Sequence, residues 1–263
     1  IEKGNIYALI GQNGAGKTTT IKCILKLINY SYGEILYNNK DIYYLMEKAK
    51  VGYMPEFLSF PEGMTLEKYL LEIGMLRKIN KTDLVKKVEV LANLLNMQEK
   101  IKDPISSYSK GMKKKANFIQ SVLHNPEFLV LDEPTDGLDP VSRRIVLDYI
   151  KGMSSGGCTI LITSHILADL ERVSHKAGIM HNGCLLNEIH TEELLRKDKN
   201  RIKLRVSNSE GFSDILVDKK ENDIDVKKYN LLTLIESENI KYDMEEWYFN
   251  TLKEAGDNNV SNY

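Results

Sequence analysis

The run Gly11-Gln-Asn-Gly-Ala-Gly-Lys17-Thr18 stands directly between an apolar stretch, Ile6-Tyr-Ala-Leu-Ile10, and a segment whose Ile21, Ile24, Leu25 and Ile28 recur at helical spacing. A short apolar run of this type is a buried strand, the glycines break it, and the periodicity predicts a helix over Thr18–Ile28. Strand, glycine loop and helix in immediate succession commit the chain to a sheet with helices packed on it. The run also satisfies the phosphate-loop pattern GxxxxGK[ST] in the context that pattern needs. Backbone N–H groups of Gly11, Gln12, Asn13, Gly14, Ala15 and Gly16 converge on phosphates, and the helix N-terminus at Lys17, Thr18 and Thr19 adds its positive end. Lys17 reaches the terminal phosphates of a bound ATP, and the Thr18 hydroxyl suits Mg²⁺.

The same alternation continues along the chain. Ile35–Tyr37 followed by Asn38-Asn39 predicts a strand and hairpin turn, and Val51–Met54 a buried strand stopped at Pro55. Phe128–Leu131 and Thr159–Thr163 are further apolar strands, separated by a helix from Pro140 to about Gly152 with Asp139 as N-cap. Ala177–Met180 and Cys184–Leu186 bracket the turn His181-Asn182-Gly183. Strands alternating with helices predict an α/β fold with a largely parallel sheet. Between about 58 and 125 the texture is helical instead: Leu66, Tyr69, Leu70 and Ile73 share one face. Leu84, Val88, Leu91, Leu94 and Leu95 share another, with Thr82 as N-cap.

After the charged connector Arg196–Arg201, Ile202, Leu204 and Val206 alternate with polar residues, and Asp243 with Glu246 caps a final helix. The expected organisation is therefore a domain over 1–195 with an inserted helical subdomain, and an accessory region over 196–263 ending in a disordered tail.

Composition excludes several classes. Against 36 Lys and Arg stand 37 Asp and Glu, so no whole-chain field draws nucleic acid or an anionic membrane. Lys113, Lys114 and Lys115 read as a solvated helix face rather than a nucleic-acid patch. Cys23, Cys158 and Cys184 lack metal-ligand spacing and read as reduced thiols. No apolar run approaches the roughly 20 residues that span a bilayer. The chain opens on Ile1-Glu2-Lys3-Gly4 and is almost at once in a strand, as if its beginning lay upstream.

Three further residues bear on chemistry. Phe128-Leu-Val-Leu-Asp132-Glu133 ends a buried strand in two carboxylates, where open α/β sheets place ligand groups. Asp132 suits the Mg²⁺ shell and Glu133 the orientation or deprotonation of an attacking water. His165 follows another strand end on the same side, within reach of the terminal phosphate or that water.

The phosphate loop, Tyr108-Ser-Lys-Gly-Met112, Leu129-Val-Leu-Asp-Glu-Pro134, the Gly137-Leu138-Asp139 turn and the Ser164-His165 pair, in that order, resemble the nucleotide-binding subunit of an ATP-binding cassette transporter, over about residues 1 to 195. The resemblance implies a P-loop NTPase core that binds ATP and Mg²⁺ and pairs head to tail with a second cassette around two ATP. It implies that Ser109 and Gly111 belong to the signature motif that closes over the partner's ATP. It also implies that Glu133 is the catalytic carboxylate, His165 the switch histidine, and Asp139 part of a loop crossing the dimer interface. A separate transmembrane permease is the implied partner, with the chain cytoplasmic and peripheral on the inner face of the cell membrane. No nucleic-acid partner is expected.

Departures from the family pattern are informative. Glu56 stands where the family carries a glutamine that touches Mg²⁺ and the permease, a replacement found in exporter cassettes resembling those for peptide antibiotics. Lys110 and Met112 replace the commonest Gly and Gln of the signature. The adenine-stacking aromatic of the family falls before Ile1. A non-hydrolysing nucleotide-binding module therefore stays open as an alternative, and a ribosome- or DNA-associated cassette is a third.

Overall fold

The structure is a computed structural model that describes residues 1–48, 50–197, 201–208, 211–218, 233–239 and 243–256. The chain forms two compact units, Ile1–Glu188 and Ile189–Tyr263. The tail beyond Gly256 lies outside the described residues.

In the first unit the strands are β1 (Ile6–Ile10), β2 (Leu36–Tyr37), β3 (Lys40–Asp41), β4 (Val51–Met54), β5 (Phe128–Asp132), β6 (Thr159–Thr163), β7 (Lys176–His181) and β8 (Cys184–His190), the last running on past Glu188. Six of them make one sheet in the order β4-β5-β6-β1-β7-β8. The pairs β4–β5, β5–β6, β6–β1 and β1–β7 are all parallel, as the alternation with helices predicts. Every residue of β1, β5 and β6 is buried, because such a sheet is covered on both faces. On one face Tyr7, Leu9, Val130 and Leu161 join Ile21 and Leu25 in a continuous apolar cluster. Asn182 and Gly183, both at positive φ, make the turn into β8. Asn38 and Asn39 do the same between β2 and β3.

The helices of this unit are α1 (Lys17–Ile24), α2 (Tyr43–Glu47), α3 (Leu66–Leu76), α4 (Lys81–Leu94), α5 (Lys110–Val122), α6 (Pro140–Ser155) and α7 (Leu167–Val173). Helix α1 stops four residues short of the expected Ile28, because Lys26 takes a left-handed φ of 54° and Leu27 N–H turns back to the Lys22 carbonyl. Helix α6 runs past Gly152, where an added methyl group would meet nothing, and ends only at Gly156. Asp139 caps it as expected, accepting from Ser142 N–H. The cap of α4 is Asn80 rather than Thr82, whose own N–H donates to the Asn80 side chain. Leu84, Val88, Leu91 and Leu95 are buried as their spacing requires, but Leu94 is not.

Helix α5 lies closely on β4: a methyl group on Gly52 would come within 2.4 Å of the Ser121 carbonyl. Its buried positions include Ala116, Phe118, Ile119 and Val122. They also include Lys114, which corrects the solvated-face reading of Lys113–Lys115: of the three only Lys113 is exposed.

In the second unit β9 (Arg201–Asn208) pairs antiparallel with both β10 (Gly211–Asp218) and β11 (Thr233–Asn239). Helix α8 (Thr191–Lys197) packs against α9 (Met244–Glu254). Asp243 caps α9 as expected, its side chain accepting from the N–H groups of Glu245 and Glu246. Met244, Trp247, Tyr248, Thr251 and Leu252 form its buried stripe.

Candidate functional site

The phosphate loop leaves the sheet at the carboxyl end of β1 and enters α1 through Gly16, whose φ of 108° only glycine adopts readily. Gly11 is equally constrained, since a Cβ there would sit 2.4 Å from the Met180 carbonyl. Ala15 is buried beneath the loop and donates to the Gln12 carbonyl at 3.1 Å. The first N–H groups of α1 have no side-chain cap and remain available to an anion.

Parallel register brings the second wall alongside. Asp132 pairs with Thr163 across β5 and β6, and Thr163 pairs in turn with Leu9 on β1. The ends of three strands thus converge on one cleft of about 520 Å³. Gln12, Asn13, Gly14, Gly16 and Lys17 to Thr19 line one side of it, and Asp132, Glu133, Asp136, Glu56 and His165 the other.

Lys17 Nζ donates to the Gly11 carbonyl at 2.6 Å and to the Gln12 carbonyl at 3.1 Å. Burial holds its pKa below the usual lysine value, while the facing carboxylates Glu133, Asp132 and Glu56 pull the other way. Asp132 is buried and accepts from Thr163 Oγ1 at 2.6 Å and from Thr18 Oγ1 at 3.2 Å, one hydrogen bond to each oxygen. Thr18, Asp132 and Glu56 offer hard oxygen donors on one cleft. Among the described residues no group of three or more His, Cys, Asp or Glu side chains holds an ion unaided. Such a site fits Mg²⁺, which binds through one or two protein oxygens and leaves the rest to phosphate and water.

Glu133 follows directly and adopts a left-handed φ of 52°, an uncommon conformation for a residue with a side chain. Its N–H is shared between the Thr163 carbonyl and Thr163 Oγ1, both at 3.2 Å. This bend turns the carboxylate out of the strand direction toward His165. Glu133 Oε2 accepts from His165 Nδ1–H at 2.8 Å and from the His165 backbone N–H at 3.2 Å.

Beyond Glu133 the turn over residues 134–137 is anchored through Thr135, whose hydroxyl donates to buried Asp169 at 2.9 Å. Asp169 also receives Arg143 through Nε at 2.7 and 2.8 Å and through Nη2 at 2.6 Å. Asp136 stands on the cleft side of this turn and pairs with Lys110 Nζ at 2.8 Å. Hydrogen bonding to Lys110 holds the Asp136 carboxyl below the usual range. Asp139 is likewise held low by the hydroxyl and N–H of Ser142, with Lys115 3.8 Å away.

Ser109, Gly111 and Asp139 do not line the cleft. Ser109 caps α5 by accepting from Met112 N–H, and Gly111 rests against the 136–137 turn, where an added Cβ would meet the Gly137 carbonyl at 3.1 Å. Helix α5 instead meets the segment that carries Glu56. Lys114 Nζ donates to the Glu56 carbonyl at 3.0 Å, Asn117 to the Pro55 carbonyl at 2.7 Å and Gln120 to the Tyr53 carbonyl at 2.8 Å. These three side chains, each three residues from the next, fasten the segment bearing Glu56 to the helix bearing Ser109. Sequence reasoning missed them and Asp136. The i, i+3, i+6 spacing that puts Lys114, Asn117 and Gln120 on one helix face was the available signal.

Residues 1–136 match the family model described as ABC transporter. An uncharacterized ABC transporter ATP-binding protein of Synechocystis is 35% identical over 201 residues, 76% of this chain, and this chain spans 57% of that protein's length. The bacitracin transport ATP-binding protein BcrA of Bacillus licheniformis is 32% identical over 213 residues, 79% of this chain and 68% of its own. A solved ATP binding subunit of an ABC transporter superposes with a TM-score of 0.69 at 30% identity, covering 74% of this chain and 82% of that one. With the phosphate loop, the strand-end carboxylates and the parallel sheet all in place, the chain belongs to the ABC ATPase family, as an ATP-binding cassette of the transporter type.

Proposed function

We propose that this chain is the ATP-hydrolysing motor subunit of a membrane transporter, pairing head to tail with a second cassette around two ATP molecules and driving a separate permease. The observation that carries this reading is a division of labour. Glu133, His165 and the phosphate loop share one cleft, whereas Ser109 and Gly111 stand apart from it, so each chain supplies half of two sites. The similarity to BcrA supports an exporter, with residues 1–195 as the cassette domain. Among the described residues no helix is long and apolar enough to cross a membrane, which fits attachment through a permease at the inner face.

In this reading the N–H groups of the loop and α1 bind the phosphates, and Lys17 leaves the Gly11 and Gln12 carbonyls to meet the terminal one. Thr18 and Asp132 would hold Mg²⁺ with Glu56 beside them, and the bound ion would neutralise phosphate charge. Glu133 orients a water and accepts its proton as the water oxygen bonds to the γ-phosphorus and the bond to the β-γ bridging oxygen breaks. His165 keeps the Glu133 carboxylate turned toward the cleft and presents its largely exposed ring to the terminal phosphate. Ser109, Gly111 and Asp139 act across the dimer interface on the partner's nucleotide. Phosphate release from ATP by the full chain, measured with and without the co-purified permease, tests the reading. Hydrolysis that rises with the permease is expected, and none under either condition contradicts it.

A further inference from the structure

Lys110 is the first residue of α5, immediately after the capping Ser109. A cation there opposes the helix dipole, and the first turn of α5 carries no acidic residue to offset it. Departures from a local rule of this kind are expected at functional or strained positions. The Lys110 side chain is 67% exposed, with room to swing, and its ammonium lies 2.8 Å from Asp136. Asp136 is much less exposed, at 28%, and lines the chain's own nucleotide cleft together with Asp132, Glu133 and Glu56. One ion pair therefore joins the wall of one nucleotide site to the helix N-terminus that the proposed function assigns to the other.

Resting on that function, we propose that Lys110 exchanges between two anions: Asp136 of its own chain in the open protein, and the terminal phosphate of the partner's ATP in the closed dimer. The pair with Asp136 is solvent-accessible and so weakly held. A phosphate in a closed interface offers a charge-assisted hydrogen bond shielded from water, the stronger partner of the two. Lys110 then binds substrate in trans, beside Ser109, and Asp136 acts as a latch that holds it back. Because Asp136 stands in the chain's own cleft, the phosphates arriving there add negative charge beside it. Asp136 thereby places the release of Lys110 under the influence of both nucleotides.

The test uses the full chain carrying Glu133→Gln to suppress hydrolysis, with dimer formation followed by analytical ultracentrifugation against ATP concentration. Lys110→Gln is expected to raise the half-saturating ATP by about tenfold, the loss of one charged hydrogen bond. Lys110→Arg is expected to restore it. Asp136→Asn is expected to shift it the opposite way, lowering it by about threefold as the weak competing pair is removed. In the Lys110→Gln background that gain should vanish, which separates release of Lys110 from simple removal of a negative charge at the cleft. Shifts in the same direction for both variants contradict the exchange, as does a gain from Asp136→Asn that survives without Lys110. If the Glu133→Gln parent forms no dimer with ATP, the motor reading itself falls and the exchange with it.

Discussion

Glu133 and His165 are joined twice, through the histidine ring at 2.8 Å and through its backbone N–H at 3.2 Å, although they follow different strands. The left-handed turn at Glu133 is what makes the meeting possible, since an extended backbone would send the carboxylate along β5 instead. His165→Ala removes the ring contact and leaves the backbone one. The expected outcome is a fall in ATP turnover of about 100-fold, the scale of a displaced general base, with ATP affinity retained. Steady-state phosphate release alongside equilibrium binding of a fluorescent ATP analogue checks both halves.

Asp169 is a second test of how the site is held. It is buried and receives Arg143 and Thr135 together, and Thr135 belongs to the turn that follows Glu133. Asp169→Ala leaves the arginine without its partner and is expected to cost about 3 kcal/mol of stability. Thermal unfolding measures that loss. Loosening of the same turn should also lower turnover in the fraction that remains folded.

His124 makes stability depend on pH in a defined direction. Its Nε2–H donates to the Val51 carbonyl at 3.0 Å, its Nδ1 has no partner, and burial with Arg77, Lys87 and Lys50 nearby pushes its pKa down to about 4. The unfolded chain titrates near the ordinary histidine value of 6.5, so between about 6.5 and 4 it takes up a proton that the folded chain refuses. The resulting stability is present above pH 6.5 and is lost as pH falls through 4. His124→Gln keeps a donor for Val51 but cannot charge. Its melting temperature, measured against wild type at pH 7.5 and 4.5, should lie below wild type at the higher pH and close the gap at the lower.

Much of this was legible from residue order. The phosphate loop sits between a strand and a helix, and Asp132, Glu133 and His165 each follow an apolar run, so a parallel sheet necessarily brings them to one edge. What remained hidden depends on pairings distant in the chain. Lys110 and Asp136 are 2.8 Å apart but belong to different elements, and neither residue type announces the other. Lys114 lay in a run of lysines that composition alone assigns to solvent, yet the Glu56 carbonyl draws its ammonium into a buried position. Boundaries failed for local reasons: Lys26 turned left-handed and ended α1 early, and Gly152 had open space beside it and let α6 continue.

In the proposed function one cleft holds the chemistry and a second cassette completes it. Full-length protein carrying Glu133→Gln, given Mg²⁺ and ATP, should sediment as a dimer with one nucleotide retained per chain, while hydrolysis falls by about 100-fold or more. A Glu133→Gln protein that stays monomeric at saturating ATP, or that hydrolyses as fast as wild type, would contradict the account.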